Sequence, residues 1–234
     1  DSDEDQRKMI SNISHDFRSP LTSIKGYIEA MLDGTIPPEM QEKYLNIVLR
    51  ETERLTGLTS GLLTLNSMDG KQNRLTRSNF DINAVIKNTA ASFEGTCTAK
   101  HITIDLLFSD WHSYVNADMG KIQQVLYNLI DNAIKFSYPN TTIGIRTWIE
   151  DGRARFCVGN FGDGISGADL SNIFNRFYKT DKSRVNEKSG AGLGLSFVKN
   201  IMTLHKQNVW VESVDTKEGS TVKYTKFTFT LELA

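Results

Sequence analysis

Cysteine is nearly absent: Cys97 and Cys157 are the two in 234 residues. They sit far apart and without metal-ligand spacing, a usage that suits a reducing cytosol. Long apolar runs are missing too. None approaches the roughly 18 residues of a membrane span, and no signal peptide is visible. Nor is there an excess of charge, since Lys+Arg 27 against Asp+Glu 28 leaves a formal net charge of −1. That balance gives no support to nucleic-acid or anionic-membrane binding as the main activity. A helix start signal is lacking before Gln6: DSDEDQRKMISN reads as the middle of a helix, so a fragment of a longer chain is expected. What is present is an ordinary globular composition, 39% hydrophobic and 24% charged, in a length that holds one large domain or two small ones.

The two halves have different hydrophobic periods. Residues 6–68 read as two long helices. Ile13, Phe17, Leu21, Ile24, Ile28 and Met31 recur every three or four positions, and Leu45, Val48, Thr52, Leu55, Leu58, Leu62 and Leu65 do the same. DGTIPPEM (33–40) separates them with Gly34, Pro37 and Pro38. Such narrow seams bury little in one hairpin, so pairing with a second copy into a four-helix bundle is expected. DGKQNRLTRSN (69–79) is polar and pattern-free, a linker candidate. Beyond it ITIDLLF (102–108) reads as a strand and KIQQVLYNLIDNAIKF (121–136) as a helix. TTIGIRTWIE and RARFCVGN flank Asp151-Gly152, a hairpin signal. ADLSNIFNRF (168–177) and LGLSFVKNIMTLHK (193–206) read as helices, and NVWVESV and VKYTKFTFTLEL as a closing hairpin around Glu218-Gly219. This order predicts an α+β layer, helices over a mixed or antiparallel sheet.

Four segments carry chemistry. In SHDFRSPLTS (14–23), His15 lies two positions from both Ile13 and Phe17, about 200° around the helix, and points away from the seam. Ser19 shares its face and Asp16 sits beside it. Pro20 removes its own N–H and leaves the Asp16 carbonyl without its usual partner. These residues read either as a surface histidine on a bent helix or as a nucleophilic imidazole with an orienting carboxylate. In NLIDNAIKFS (128–137), Asn128, Asn132 and Lys135 form one polar stripe. It is a solvated face or a site where an amide oxygen binds Mg²⁺ and a lysine meets phosphate. Gly190, Gly192 and Gly194 open directly into a helix, as a phosphate cradle does, after a polar stretch (179–191) with the composition of a lid. Gly162 and Gly164 in CVGNFGDGIS (157–166) mark a loop or a ligand-site wall.

These segments resemble, in order, the boxes of bacterial two-component sensor histidine kinases. SHDFRSPLTS is similar to their H box, NLIDNAIKFS to the N box and GNFGDGI to the first glycine box. IFNRFYK (173–179) is similar to the F box, GAGLGL (190–195) to the second glycine box and EGST (218–221) to a short third one. The resemblance implies a dimerising, phosphoacceptor helical hairpin (1–69), a linker (70–79) and an α/β-sandwich ATP-binding domain (80–234) of the type shared with heat-shock chaperone and topoisomerase ATPases. It implies autophosphorylation of His15 from ATP and transfer of the phosphoryl group to an aspartate of a response regulator receiver domain. The residues suit phosphoryl transfer, which needs positioning and charge neutralisation more than covalent chemistry from the protein. By resemblance Asn132 holds Mg²⁺, Asn128 and Lys135 contact the phosphates, and Lys179 approaches the γ-phosphate. Gly190, Gly192, Leu193 and Gly194 wrap the phosphate tail. Phe136, Asn160, Gly162, Gly164, Ile165, Phe177, Tyr178 and Thr221 complete the nucleotide pocket. Asp16 orients His15. The resemblance also implies a homodimer and a cytoplasmic fragment of a membrane-anchored protein, meeting the membrane only through a missing N-terminal sensor region.

Two positions depart from the family pattern. Ser19 stands where Thr or Asn is usual, at the place associated with regulator dephosphorylation. Serine keeps the hydroxyl but loses the methyl that restricts its rotamer, which implies a retained, weaker phosphatase activity. Asn160 stands where an adenine-binding Asp is usual, while Asp163 fills a variable place between the glycines. An amide still accepts from the adenine amino group but without charge assistance, and a flipped amide donates to a keto oxygen. Competing readings are a non-catalytic dimeric scaffold and the chaperone, MutL and topoisomerase ATPases. The latter use an N-box glutamate that NLIDN lacks, having Asp131 at a different position.

Overall fold

The computed structural model describes residues 2–66, 74–110, 112–176, 178–180, 192–217 and 220–234, the side chains of 2–13, 15, 16, 50, 53, 54 and 56–66 excepted. The chain divides into two compact units, Asp1–Gly70 and Lys71–Ala234.

The first unit is a helical hairpin of α1 (Ser2–Leu32) and α2 (Pro38–Asn66). Its turn is built by three local devices. Gly34 takes φ +79, Asp33 Oδ1 accepts from Thr35 N–H at 2.9 Å, and Ile36 is buried with its N–H on the Ala30 carbonyl at 2.8 Å. Proline at the first position of α2 gives up a donor that has no helical partner there. Tyr27 and Tyr44 pack across the hairpin with ring centroids 5.2 Å apart. Within this unit part of the seam remains uncovered: Leu21 is 52% exposed, Ile28 41% and Leu45 51%.

The second unit contains β1 (Ser78–Asp81), α3 (Ile82–Ala91), α4 (Glu94–Ala99), β2 (Thr103–Phe108), β3 (Tyr114–Ala117), α5 (Met119–Phe136), β4 (Thr142–Glu150), β5 (Arg153–Gly162), α6 (Gly167–Leu170), α7 (Gly194–Leu204), β6 (Val209–Asp215) and β7 (Lys223–Glu232). The main sheet runs β2-β4-β5-β7-β6. β2 and β4 are parallel and every other pair is antiparallel, so the sheet is mixed. β1 and β3 form a separate two-stranded pair. The first residues of β1, Ser78 and Asn79, fall in the stretch that composition marked as linker.

Helices cover one face of the sheet. α5 buries Ile122, Val125, Leu126, Leu129, Ile130, Ala133 and Ile134, a three- and four-residue recurrence that makes one wide apolar stripe. They join Phe156, Val158, Phe227, Phe229 and Leu231 of the sheet and Val198, Ile201 and Met202 of α7 in a single core. Each of the Val, Leu, Ile, Phe and Met side chains contributes about 1.5–3 kcal/mol on burial. Helix starts are set by short acceptors. Asp81 caps α3 through the Asn83 N–H, and Asp118 caps α5 through Lys121 N–H at 3.1 Å while its other oxygen accepts from Thr76 N–H at 3.0 Å. His205, 1% exposed at the end of α7, donates from Nδ1 to the Ile201 carbonyl at 2.8 Å and accepts the Asp118 N–H at Nε2 at 3.1 Å. Burial holds its pKa below the usual imidazole value, and the neutral ring is the form this pair of bonds requires.

One predicted helix is corrected. Among the described residues of 168–177 only 168–170, the end of α6, are α-helical, and Ser171–Arg176 continues as turns. Asn172 N–H bonds the Asp169 carbonyl and Asn175 N–H the Asn172 carbonyl, both at 2.8 Å. The side chain of Asn175 also bonds Asn172 Oδ1 at 3.2 Å. Asparagine amides compete for local hydrogen bonds and favour such turns over a continuous helix. The closing hairpin is present as antiparallel β6 and β7; Glu218 and Gly219 of its turn lie outside the described residues.

Candidate functional site

The candidate site runs along the polar side of α5, from the start of α7 at Asn128 to the end of β5 at Phe136, all within the second unit. β5 alternates, so Ala154, Phe156 and Val158 enter the core and Asn160 is the next residue on that face. Asn160 is 5% exposed, and its amide hydrogen-bonds no described residue. Beside it Gly162 lies against the end of α5: a Cβ there would fall 2.1 Å from the Phe136 carbonyl oxygen and 3.5 Å from Asn160 Nδ2. Gly164 takes φ +71, and a Cβ there would meet the stem of Lys223 at 2.4 Å. The two glycines therefore let the backbone close over the corner, as a ligand-site wall requires.

Across the sheet, Asn160 pairs with Thr225 and Thr225 with Ser213. Their hydroxyls are 3.0 Å apart, and Ser213 Oγ accepts the Ile165 N–H at 3.0 Å. Sequence reading missed this row. The threonine that the resemblance names, Thr221, is exposed and precedes β7. The period-two pattern of β7 counted back from Phe229 and Phe227 could have identified Thr225. Asp163 is exposed and accepts from the Tyr138 hydroxyl. That bond holds the Tyr138 phenol above its usual pKa. With Tyr138 N–H on the Phe161 carbonyl at 3.0 Å, the loop is tied to the segment after α5.

On α5 the polar stripe is present. Asn128 donates to the Gln124 carbonyl at 2.8 Å, and its Oδ1 would lie 3.1 Å from a Cβ at Gly194, the first residue of α7. The N-terminus of α7, with its free backbone N–H groups, thus stands against the stripe, about two helical turns along α5 from the Phe136 end that Gly162 packs on. Gly192 takes φ +73, a left-handed turn that glycine adopts at no steric cost, and Leu193 is buried behind it. Asn132 is half-buried, one turn on from Asn128. Lys135 is paired with Asp131 at 2.5 Å, so Asp131 belongs to the stripe and engages the lysine assigned to phosphate. Phe136 is exposed at the helix end. Tyr178 is half-buried and donates to Asp169 at 2.6 Å, and Lys179 is half-buried beside it.

Two amide side chains, a helix N-terminus and a lysine suit a magnesium-bound polyphosphate, because magnesium takes few protein oxygens and fills its shell with water and phosphate. No group of three His, Cys, Asp or Glu side chains that could hold a metal occurs among the described residues. Phe177, Gly190 and most of the expected lid lie outside the described residues.

In the first unit α1 runs unbroken past Pro20, which is buried. Ser19 is exposed, and Thr22 Oγ1 bonds the Arg18 carbonyl at 2.8 Å. His15 and Asp16 are helical, and their side chains lie outside the described residues. No helix among the described residues is long and apolar enough to cross a membrane.

Comparison with known proteins covers both units. Residues 5–71 match the family described as His Kinase A (phospho-acceptor) domain. Residues 117–234 match the family described as Histidine kinase-, DNA gyrase B-, and HSP90-like ATPase. Sensor histidine kinase WalK of Bacillus subtilis is 32% identical over 226 residues, covering 95% of this chain and 37% of the relative. Sensor protein kinase WalK of Staphylococcus aureus is 30% identical over 91% of this chain and 52% of its own length. The chain thus spans about a third to a half of these relatives. Among solved structures, histidine kinase ThkA in complex with response regulator protein TrrA aligns with a TM-score of 0.76 and 27% identity, over 97% of this chain and 61% of that one. Acinetobacter baumannii histidine kinase AdeS aligns with a TM-score of 0.71 and 25% identity, over 94% of this chain and 98% of that one. With a phosphoacceptor helical hairpin followed by an ATPase-type sandwich, the chain belongs to the sensor histidine kinases of bacterial two-component systems.

Proposed function

We propose that this chain autophosphorylates His15 with magnesium-bound ATP and passes the phosphoryl group to an aspartate of a response regulator receiver domain. The observation that carries this reading is the polar side of α5, where Asn128 stands against the start of α7 and the far end of the helix stands against Gly162, beside Asn160. Asn160 receives the base. Asn128 and the α7 N-terminus, with Gly190, Gly192 and Gly194, hold the phosphates, and Asn132 holds the metal. Magnesium neutralises charge on the phosphate oxygens when bound. Lys135 reaches the phosphates by exchanging Asp131 for them, and Lys179 approaches the γ-phosphate.

Asp16 hydrogen-bonds one ring nitrogen of His15 and leaves the other to attack. The new N–P bond forms as the bond to the β-phosphate oxygen breaks, and ADP departs. Ser19 aligns water when the phosphorylated regulator is hydrolysed. The ThkA structure was solved with a response regulator, which supports a receiver domain as the partner here. The uncovered leucines of the hairpin support a homodimer, because a second copy laid on them completes a four-helix bundle. Membrane attachment, as in an anchored sensor kinase, belongs to a sensor region outside these residues.

The test is label transfer from γ-labelled ATP. Acid-labile, alkali-stable label appears on the wild-type chain, is absent from His15→Ala, and moves to an added receiver domain. Label that persists in His15→Ala refutes the assignment of the phosphoacceptor.

A further inference from the structure

The base-binding corner carries no fixed hydrogen-bond polarity. Ser213, Thr225 and Asn160 follow one another across β6, β7 and β5 on the face that enters the core. The Asn160 amide is 5% exposed and hydrogen-bonds no described residue. Its carbonyl and NH₂ exchange places when the side chain turns over. In the hydroxyl pair of Ser213 and Thr225 either oxygen can donate, so that pair reverses as well. Neither nearby formal charge is committed to the row. Asp163 is exposed and engaged by the Tyr138 hydroxyl, and the Lys223 ammonium pairs with Asp215 at 3.3 Å.

We infer that this corner accepts purine nucleotides bearing either a 6-amino or a 6-oxo group, with Asn160 as the residue that reads position 6. The inference rests on the nucleotide reading of the site. Toward a 6-aminopurine the amide oxygen accepts from the amino group and the NH₂ donates to N1. Toward a 6-oxopurine the NH₂ donates to the keto oxygen and the amide oxygen accepts from N1–H. Both poses make two hydrogen bonds and leave no buried group unpaired. A carboxylate at the same position accepts only, so it meets the N1–H of a 6-oxopurine with one oxygen while the keto oxygen faces the other lone pair to lone pair. Sites of fixed polarity reject such a mismatch by factors of about 10⁴–10⁵, whereas a group that turns over does not.

The test titrates ADP and inosine diphosphate, which differ only around position 6, into the 234-residue chain with magnesium by calorimetry. The expected result is dissociation constants within about tenfold of each other in the wild type, and a ratio widened at least about tenfold in Asn160→Asp. A wild-type gap wider than tenfold overturns the inference, and so does a ratio unchanged by Asn160→Asp. Should Asn160→Asp not fold, Asn160→Ala takes its place. Both nucleotides must then weaken by similar factors, and selective loss of one overturns the role given to Asn160. If ADP itself does not bind, the nucleotide site falls and this inference falls with it, an outcome distinct from tight ADP with weak inosine diphosphate.

Discussion

Gly162→Ala tests the packing that forms the site. The added Cβ would lie 2.1 Å from the Phe136 carbonyl oxygen, far inside the 3.4 Å at which ordinary contact begins. The obstacle is backbone, so no flexible side-chain tip can yield; the end of β5 must move away from the end of α5. Overpacking of this kind costs about 1–3 kcal/mol, and the rigidity of both partners puts the expected loss near the top of that range, about 3 kcal/mol. The same displacement moves Asn160, whose Nδ2 is 3.5 Å from the new atom. ADP affinity should therefore fall along with stability. Urea unfolding followed by near-ultraviolet signal gives the first quantity from the shift in midpoint at constant slope, and ADP titration gives the second. Gly26→Ala is the control. That glycine lies inside α1 with nothing within 4 Å of a new Cβ, so the change should stabilise by about 0.5–1 kcal/mol and leave ADP binding alone. A Gly162→Ala protein within about 0.5 kcal/mol of wild type, with unchanged ADP affinity, would refute the reasoning.

Two further outcomes are expected. His205 is held neutral by burial, and its pKa in the folded chain lies below the unfolded value, near 6.5. The unfolded chain therefore binds the proton more readily, and the stability tied to the neutral ring is complete above about pH 6.5 and declines as pH falls through the window beneath it. Urea midpoints measured between neutral and mildly acidic pH should fall for the wild type and fall less for His205→Gln; parallel slopes would contradict this. The second outcome concerns the hairpin, where Leu21 and Leu45 are half exposed within the lone unit. Leu21→Asp combined with Leu45→Asp should convert a sedimenting dimer to monomer while ADP binding persists, and a dimer that survives both changes would place the interface elsewhere.

Local pattern was enough for the elements whose hydrophobic period is strong. The two hairpin helices, α5, α7, the β4–β5 hairpin and the closing strands are all legible, because a three-to-four or two-residue recurrence records which face is buried. β1, α3, α4 and β3 are short and weakly periodic, and the residues after Leu170 failed as a helix because asparagine amides took the local hydrogen bonds. The order of the boxes marks Asn128, Asn132, Asn160 and the glycines as parts of one nucleotide site. Three features of that site depend on pairings between distant segments: Thr225 faces Asn160 through strand register, Asp131 holds Lys135, and Tyr138 holds Asp163. The sequence by itself thus determined the class of chemistry and the residue types that carry it. Only the tertiary structure decided which neighbours those residues have, because register and burial arise from contacts between elements that local periodicity does not encode.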